Sequence, residues 1–181
     1  MAQQPRGTIY PGTYHVWRRT AGPIEMFRDD VDSTDFCNRL GNVVAKFAWS
    51  LVAFVLMATH FHLIVDVDED MLQPGMHRLF GGYAQQFNLR WGRSGHLKAG
   101  RYRLRPILDD ADLVNTARYV ARNPVAADHC AKPQDWTWSS YRGSAGYSEP
   151  FPFVDDSLLL GVFDADRGRA RQLLRLFVEA D

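Results

Sequence analysis

Two apolar runs that are separated by only three residues constrain this sequence more than any other feature. Residues 49–57 and 61–67 are rich in β-branched and aromatic side chains, and only Ala58, Thr59 and His60 lie between them. Each run is too short to cross a membrane and has the length of a buried strand. The short connection predicts a β-hairpin. We therefore expect a sheet that buries both strands.

The regions on either side of the hairpin alternate between strand and helix patterns. A strand is predicted over residues 13–19, and a helix with regularly spaced apolar residues is predicted to end near Ala48. After the hairpin, an apolar stripe at helical spacing covers residues 72–87, and residues 101–108 alternate like a fourth strand. This order predicts an α+β fold, a ferredoxin-like (split βαβ) antiparallel sheet with helices on one face.

A third helix is predicted over residues 112–123, after the fourth strand. At 100° per residue its apolar side chains lie on one side, and Tyr119 points away from them. A terminal helix is predicted over residues 167–178. We expect residues 1–146 to form one domain and residues 147–181 to form a helical C-terminal extension packed on it.

The charges of the chain cancel in total but are segregated along it. The 181 residues include 21 Lys and Arg and 21 Asp and Glu, which excludes a protein that coats nucleic acid by bulk charge. The hydrophobic content of 46% excludes a disordered or fibrous chain. Residues 71–108, however, hold seven basic residues, several aromatic residues and no acidic residue. This composition indicates either a nucleic-acid-binding surface or a solvated surface with counter-charges from other elements. The candidate DNA-binding residues are Arg18, Arg19, Arg78, Arg90, Arg93, Lys98, Arg101, Arg103 and Arg105.

The two cysteines and the N-terminus bear on the cellular location. Cys37 and Cys130 have neither metal-binding nor redox-type spacing, so we expect isolated, reduced thiols. The first residues lack the apolar core of a signal peptide. These features predict a cytoplasmic protein with no membrane partner.

Two histidines flank Phe61 at the start of the second hairpin strand. Because side chains alternate along a strand, His60 and His62 share one face and can approach a single metal ion. Such a pair also occurs as a polar sheet surface or as a hydrogen-bonded part of a core, so both readings stay open. His15 and His77 have no identifiable partner and are interpreted as structural.

The third helix offers a further metal-ligand candidate. Asn123 follows Tyr119 by four residues, which puts the two side chains on one side of a helix. The amide oxygen of Asn123 can join the histidine pair around an ion. Pro124 disfavours helical geometry at Asn123, and we expect it to distort this relation.

These features occur together in one known family. The His-Phe-His motif, the tyrosine with an amide residue four positions later and the basic surroundings resemble the HUH single-strand endonucleases. The chain most closely resembles the REP-associated tyrosine transposases, which are related to the single-tyrosine insertion-sequence transposases. The matching segments, in family order over about residues 8–145, are residues 10–16, 26–30, 56–63, 95–97, 100–102, 118–125 and 138–142.

The resemblance implies metal-dependent cleavage and rejoining of single-stranded, hairpin-forming DNA by a catalytic domain over residues 1–146. Tyr119 would be the nucleophile and form a 5′-phosphotyrosine intermediate, and His60, His62 and Asn123 would hold Mg²⁺ or Mn²⁺. The family's substrate is a repetitive extragenic palindrome (REP) hairpin with a short single-stranded sequence beside it. The arginines would position this DNA. The implied location is the bacterial cytosol or nucleoid, and both a monomer and a homodimer agree with the resemblance.

Three dipeptides depart from the family pattern. They are Ala58-Thr59 in place of Pro-Asn, Ala121-Arg122 in place of His-Leu, and Lys98-Ala99 in place of Phe-Gln. None removes an implied ligand or the nucleophile, but they keep open a catalytically inactive DNA-hairpin-binding protein on the same fold. A third hypothesis, an RNA-binding module, agrees with the sheet but gives no use to a histidine pair facing a tyrosine.

Overall fold

The computed structural model of the chain describes residues 10–20, 24–68, 71–95, 97 and 101–180. The strands are β1 (Gly12–Arg19), β2 (Ser50–Met57), β3 (His60–Val67) and β4 (Arg103–Pro106). The helices are α1 (Asp30–Lys46), α2 (Leu72–Arg90), α3 (Asp110–Ala126), α4 (Tyr141–Ser144), α5 (Ser157–Phe163) and α6 (Arg167–Glu179), and a 3₁₀ turn spans Pro133–Asp135.

The four strands form one antiparallel sheet in the order β2-β3-β1-β4. This order and the connections through α1 and α2 confirm the predicted ferredoxin-like fold. The register pairs Trp17 of β1 with His62 of β3 and with Arg103 of β4. Directly paired residues project from the same face of a sheet, so these three side chains lie on one face.

The first face of the sheet is covered by α1 and α2. Phe61, Leu63 and Val65 of β3 are fully buried there, together with Phe36 of α1 and Tyr83 of α2. Aromatic contacts link the layers, since the Phe36 ring lies 5.1 Å from the rings of both Phe61 and Tyr83. This face is a closed apolar core.

The opposite face is covered by α3 and the C-terminal helices. Val52 and Ile64 of the sheet pack with Leu113 of α3, Leu160 of α5 and Leu174 of α6. A bulge in β2 contributes to this second core, because the register shift after Leu51 turns both Val52 and its neighbour toward α3. Residues on both sides of the predicted boundary at 146 thus share one core.

Several local details differ from the sequence predictions. Helix α3 continues through Pro124 to Ala126. The prediction that the helix is distorted at Asn123 is therefore wrong, and Asn123 follows Tyr119 by one regular helical turn. Helix α5 was not predicted, because seven residues hold too few apolar positions to reveal a helical period.

Both cysteines are free thiols, as expected, and burial raises the pKa of Cys37 to about 12. No helix within the described residues has the length and apolarity of a membrane span.

Candidate functional site

An open cleft of about 790 Å³ lies where β1 ends and where β3 and β4 begin. Because neighbouring strands are antiparallel, these three strand ends meet at the same edge of the sheet. The lining residues are Trp17, Arg18, Arg19, Thr20, His60, His62, Arg101, Tyr102, Arg103 and Tyr119. The cleft thus gathers aromatic, basic and imidazole side chains from distant parts of the sequence.

The imidazole of His60 is held on both sides. Its Nδ1 lies 3.1 Å from the hydroxyl of Thr59, and its Nε2 lies 2.9 Å from Oδ1 of Asn123. The ring of His62 lies 5.3 Å from that of His60 and perpendicular to it. The structure therefore brings together the three residues that the sequence singled out as metal ligands, two from β3 and Asn123 from α3.

His15 belongs to the same cluster, although the sequence predicted a structural residue without a partner. Its Nε2 lies 2.9 Å from Nδ1 of His62. Its ring lies nearly parallel to that of Trp17 at 4.8 Å between centroids, and the hydrogen bond joins it to the ring of His62 at 5.1 Å between centroids. The alternation of β1 puts His15 and Trp17 on one face, but only the β1–β3 pairing shows that this face carries His62.

Burial favours the neutral form of all three imidazoles. Burial lowers the pKa of His62 to about 3, with smaller contributions from positive charge on His15 and His60. Burial and the nearby Arg105 lower the pKa of His15 to about 4, against a raising effect of Asp112. Burial also lowers the pKa of His60. Neutral imidazoles keep the lone pairs that bind metal ions.

Tyr119 reaches the cluster from α3. Its side chain is 53% exposed, and its ring meets the ring of His62 edge-on at 5.3 Å and that of His15 at 6.0 Å. Asn123, one helical turn later, is 9% exposed and contacts His60. The helix thus presents an accessible phenol beside the imidazoles.

Ion pairs and hydrogen bonds hold α3 at both ends. At its start the guanidinium of Arg105 contacts both carboxylate oxygens of Asp112 at 2.8 Å and the hydroxyl of Thr116 at 2.7 Å. Toward its end, Arg118 and Arg122 donate to the carbonyl oxygen of Ala180 at 2.5 and 2.8 Å. These contacts fix α3, and with it Tyr119, against β4 and the C-terminal end of the described chain.

The imidazole nitrogens and the amide oxygen at the site suit a divalent cation whose remaining coordination positions stay open to other ligands. Across the described part of the chain, no three His, Cys, Asp or Glu side chains are arranged to hold a metal ion. The oxygen of Asn123 is the further donor atom beside the two imidazoles. Octahedral ligands at about 2.1 Å from an ion are about 3 Å from their neighbours. The 2.9 Å between His60 Nε2 and Asn123 Oδ1 matches that spacing, so the residues present fit such an ion.

The predicted DNA-binding residues lie in different places. Arg18, Arg19, Arg101 and Arg103 line the cleft, and the Arg18 guanidinium also lies 3.3 Å from the centroid of the Phe80 ring. Their position in the cleft fits the prediction that they bind DNA.

The other predicted residues lie away from the cleft or are engaged within the protein. Arg90 forms ion pairs with Asp29 and Asp32, as Arg105 does with Asp112. Arg78 and His77 line a separate groove of about 440 Å³ between α1 and α2. Arg93 follows α2, and Lys98 lies outside the described residues. The assignment of these residues to DNA binding stays a prediction.

Comparisons with known proteins agree with this architecture. No protein-family model and no curated protein sequence matches the chain. Among solved structures, a REP-associated tyrosine transposase bound to a REP hairpin is similar at a TM-score of 0.64 and 18% identity, over 86% of this chain and 93% of that chain. A predicted transposase from Deinococcus radiodurans matches at a TM-score of 0.45 and 16% identity, over 71% of this chain and 99% of the other. The chain has the fold of the REP-associated tyrosine transposase, an α+β fold built on a four-stranded antiparallel sheet.

Proposed function

We propose that this protein is a transposase of the REP-associated tyrosine type, which cleaves and rejoins single-stranded, hairpin-forming DNA. The observation that carries the proposal is the placement of the exposed phenol of Tyr119 against His62, beside the contact between His60 and Asn123. A merely structural histidine pair does not require an accessible tyrosine at this position. The shared fold with a transposase that was solved with a REP hairpin supports the proposal.

The chemistry assigned to Tyr119 is an attack of its phenolic oxygen on the scissile phosphorus. The new phosphorus–oxygen bond forms as the bond to the 3′ oxygen of the preceding nucleotide breaks. The phenolic proton passes to solvent, and a 3′-hydroxyl and a 5′-phosphotyrosine result. Attack by a 3′-hydroxyl reverses the step and releases Tyr119. Each step exchanges one phosphoester for another, so rejoining needs no external energy source.

His60, His62 and Asn123 would hold the divalent ion, Mg²⁺ or Mn²⁺, at this place. When bound, such an ion polarises the phosphoryl oxygens and stabilises the charge that develops during attack. The side chain of Asn123 also links the ligand set to α3, so the helix that carries the nucleophile is in direct contact with His60. One helical turn therefore sets the distance between the phenol and the ligands.

The rest of the cleft fits an extruded single strand next to a hairpin stem. Arg19, Arg101 and Arg103 bring positive charge to its walls, and Trp17 and Tyr102 bring aromatic rings. Cations along a groove bind the phosphate backbone, while aromatic faces stack with unpaired bases. This combination favours single-stranded over fully paired DNA as the ligand of the cleft.

The test is covalent capture of a hairpin oligonucleotide with a single-stranded extension in the presence of Mn²⁺. The wild-type protein should give an adduct on a denaturing gel, and Tyr119→Phe should give none while it still binds the hairpin. Tyr147→Phe is a matched control, because Tyr147 lies near α6 and contacts Glu179. An adduct with Tyr119→Phe would refute the assignment and make Tyr102 the next residue to test.

A second function, hairpin binding without cleavage, is favoured by one observation. Ala121 and Arg122 stand at a departure from the family pattern, and Arg122 donates to the backbone carbonyls of Val178 and Ala180. A binding protein of this kind would hold the hairpin equally well with and without Mn²⁺. It would form no adduct with any substrate that carries the recognised sequence.

A further inference from the structure

We propose that His15 is a positioning residue that fixes the tautomer and the ring orientation of His62. This inference rests on the proposed function, because it assigns His62 as a metal ligand. The two side chains are 6% and 5% exposed, and Nε2 of His15 lies 2.9 Å from Nδ1 of His62. His62 cannot turn its ring without breaking this buried contact.

The hydrogen bond between the two rings permits two neutral arrangements. In the first, His15 donates from Nε2 and His62 accepts at Nδ1, so His62 carries its own proton on Nε2 and has no lone pair to offer there. In the second, His62 donates from Nδ1 and His15 accepts at Nε2, so the Nε2 lone pair of His62 is available. Only the second arrangement allows His62 to bind a cation, and it requires His15 to be the acceptor.

The surroundings of His15 hold it in place for this role. Its ring lies nearly parallel to that of Trp17 at 4.8 Å, meets His62 in its own plane through the hydrogen bond, and lies 6.0 Å from the steeply inclined ring of Tyr119. The strand register places Trp17 directly opposite His62, with His15 at the diagonal position. The ring is therefore confined by packing, as expected of a residue that orients another side chain.

His60 has an equivalent support from a different residue. In the metal-free protein Nε2–H of His60 donates to Oδ1 of Asn123. With an ion at Nε2 the proton would sit on Nδ1, where the hydroxyl of Thr59, 3.1 Å away, can accept its hydrogen bond. Both histidines thus have Nδ1 engaged by a neighbour. This is the usual arrangement of metal-ligating histidines, in which a hydrogen bond to one ring nitrogen orients the other toward the ion.

The first test reads the tautomers directly and needs no metal and no DNA. Long-range ¹H–¹⁵N correlation spectra of the metal-free wild-type protein at pH 7.5 should show His62 protonated at Nδ1 and unprotonated at Nε2. His15 should show the unprotonated Nε2 of an acceptor. A His62 ring that carries its proton on Nε2 would overturn the inference.

The second test measures binding of Mn²⁺ alone by calorimetry. His15→Leu keeps the packing volume but removes the acceptor, and we expect about 10–100-fold weaker binding, as for other losses of a ligand's hydrogen-bond partner. His15→Gln keeps an acceptor oxygen and should recover part of the affinity. His77→Leu is the matched control with unchanged affinity, because His77 is exposed in the separate groove between α1 and α2.

The outcomes separate the inference from the proposed function. Wild-type affinity for Mn²⁺ in a folded His15→Leu variant would overturn the positioning role and leave the proposed function intact. Should His15→Leu fail to fold, His15→Gln and the wild-type tautomers decide the question. If wild-type protein and His60→Ala bound Mn²⁺ equally poorly, both the metal site and the role of His15 toward it would be refuted.

Discussion

The two faces of the sheet are built from the same strands but serve different purposes. On the face covered by α1 and α2, Phe61 and Leu63 are fully buried in an unbroken apolar core. On the opposite face, alternate positions of the same strand carry His60 and His62. Strand alternation thus lets one short segment stabilise the fold with one side chain and place a chemical group with the next.

The second face is itself divided along the sheet. Toward β2 it is apolar, with Val52 and Val55 packed under α3, α5 and α6. Toward β1 and β4 it is the aromatic, basic and imidazole surface of the cleft. Helix α3 spans the division, since Val120 lies in the core while Tyr119 faces the cleft. The polar side chains of this face are concentrated toward β1 and β4, beside the part that α5 and α6 cover.

The largest expected effect is a loss of DNA cleavage, and it comes from a histidine of the cleft. His62→Ala should reduce the rate of adduct formation by on the order of 10²–10³-fold, which is the scale of lost transition-state charge stabilisation. Hairpin affinity should stay within about twofold, because the arginines that bind phosphate are unchanged. Adduct kinetics and a binding titration measure the two quantities. A parallel loss of hairpin affinity would mean that His62 supports the cleft structurally.

The residue between the two histidines should give the opposite result. Phe61→Ala removes a fully buried ring from the first core, so we expect the free energy of unfolding to fall by about 3–5 kcal/mol. His60→Ala, one residue away, should cost no more than about 1.5 kcal/mol, the scale of a hydrogen bond. Urea denaturation compares the two variants. Equal losses of unfolding free energy would show that both faces contribute alike to stability and would contradict the expected difference between them.

Charge at the mouth of the cleft should affect DNA affinity without affecting stability. The double variant Arg101→Glu with Arg103→Glu should bind the hairpin more weakly. The slope of log affinity against log salt should become shallower by about 0.7 for each lost contact with a single-stranded phosphate. Arg169→Glu is the control, because the Arg169 side chain is 71% exposed on α6 beside Asp164. An unchanged salt slope in the double variant would exclude this surface from DNA binding.

The smallest expected effect concerns the attachment of α6 to α3. Helix α6 has no basic residue in its last turn, and Arg122 of α3 donates to the carbonyl oxygens of Val178 and Ala180. A cation at a helix C-terminus stabilises it, so Arg122→Ala should lower the free energy of unfolding by about 1 kcal/mol. Arg169→Ala should change it by less than about 0.5 kcal/mol. A null result for Arg122→Ala would show that its hydrogen bonds do not help to hold the two helices together.

Much of the fold could be predicted because its signals are local. The hairpin of β2 and β3 follows from two apolar runs with a short gap, and α3 follows from apolar residues at helical spacing. The same spacing placed Tyr119 and Asn123 on one side of a helix, as the structure has them. Helix α5 was missed because it is short. The extension of α3 beyond Pro124 was missed because a proline disfavours helical backbone at the residue before it, and packing of the last turn overrides this preference.

By itself the sequence determined which side chains share a face within each element, because backbone geometry sets a period of 2 for strands and 3.6 for helices. It could not determine which elements are neighbours. The pairing of β1 with β3 made His15 a partner of His62, and the packing of α3 on the sheet brought Asn123 to His60. Packing likewise paired Arg105 with Asp112 across two elements. The two histidine contacts join residues that are 47 and 63 positions apart in the chain, so only the tertiary structure decided them.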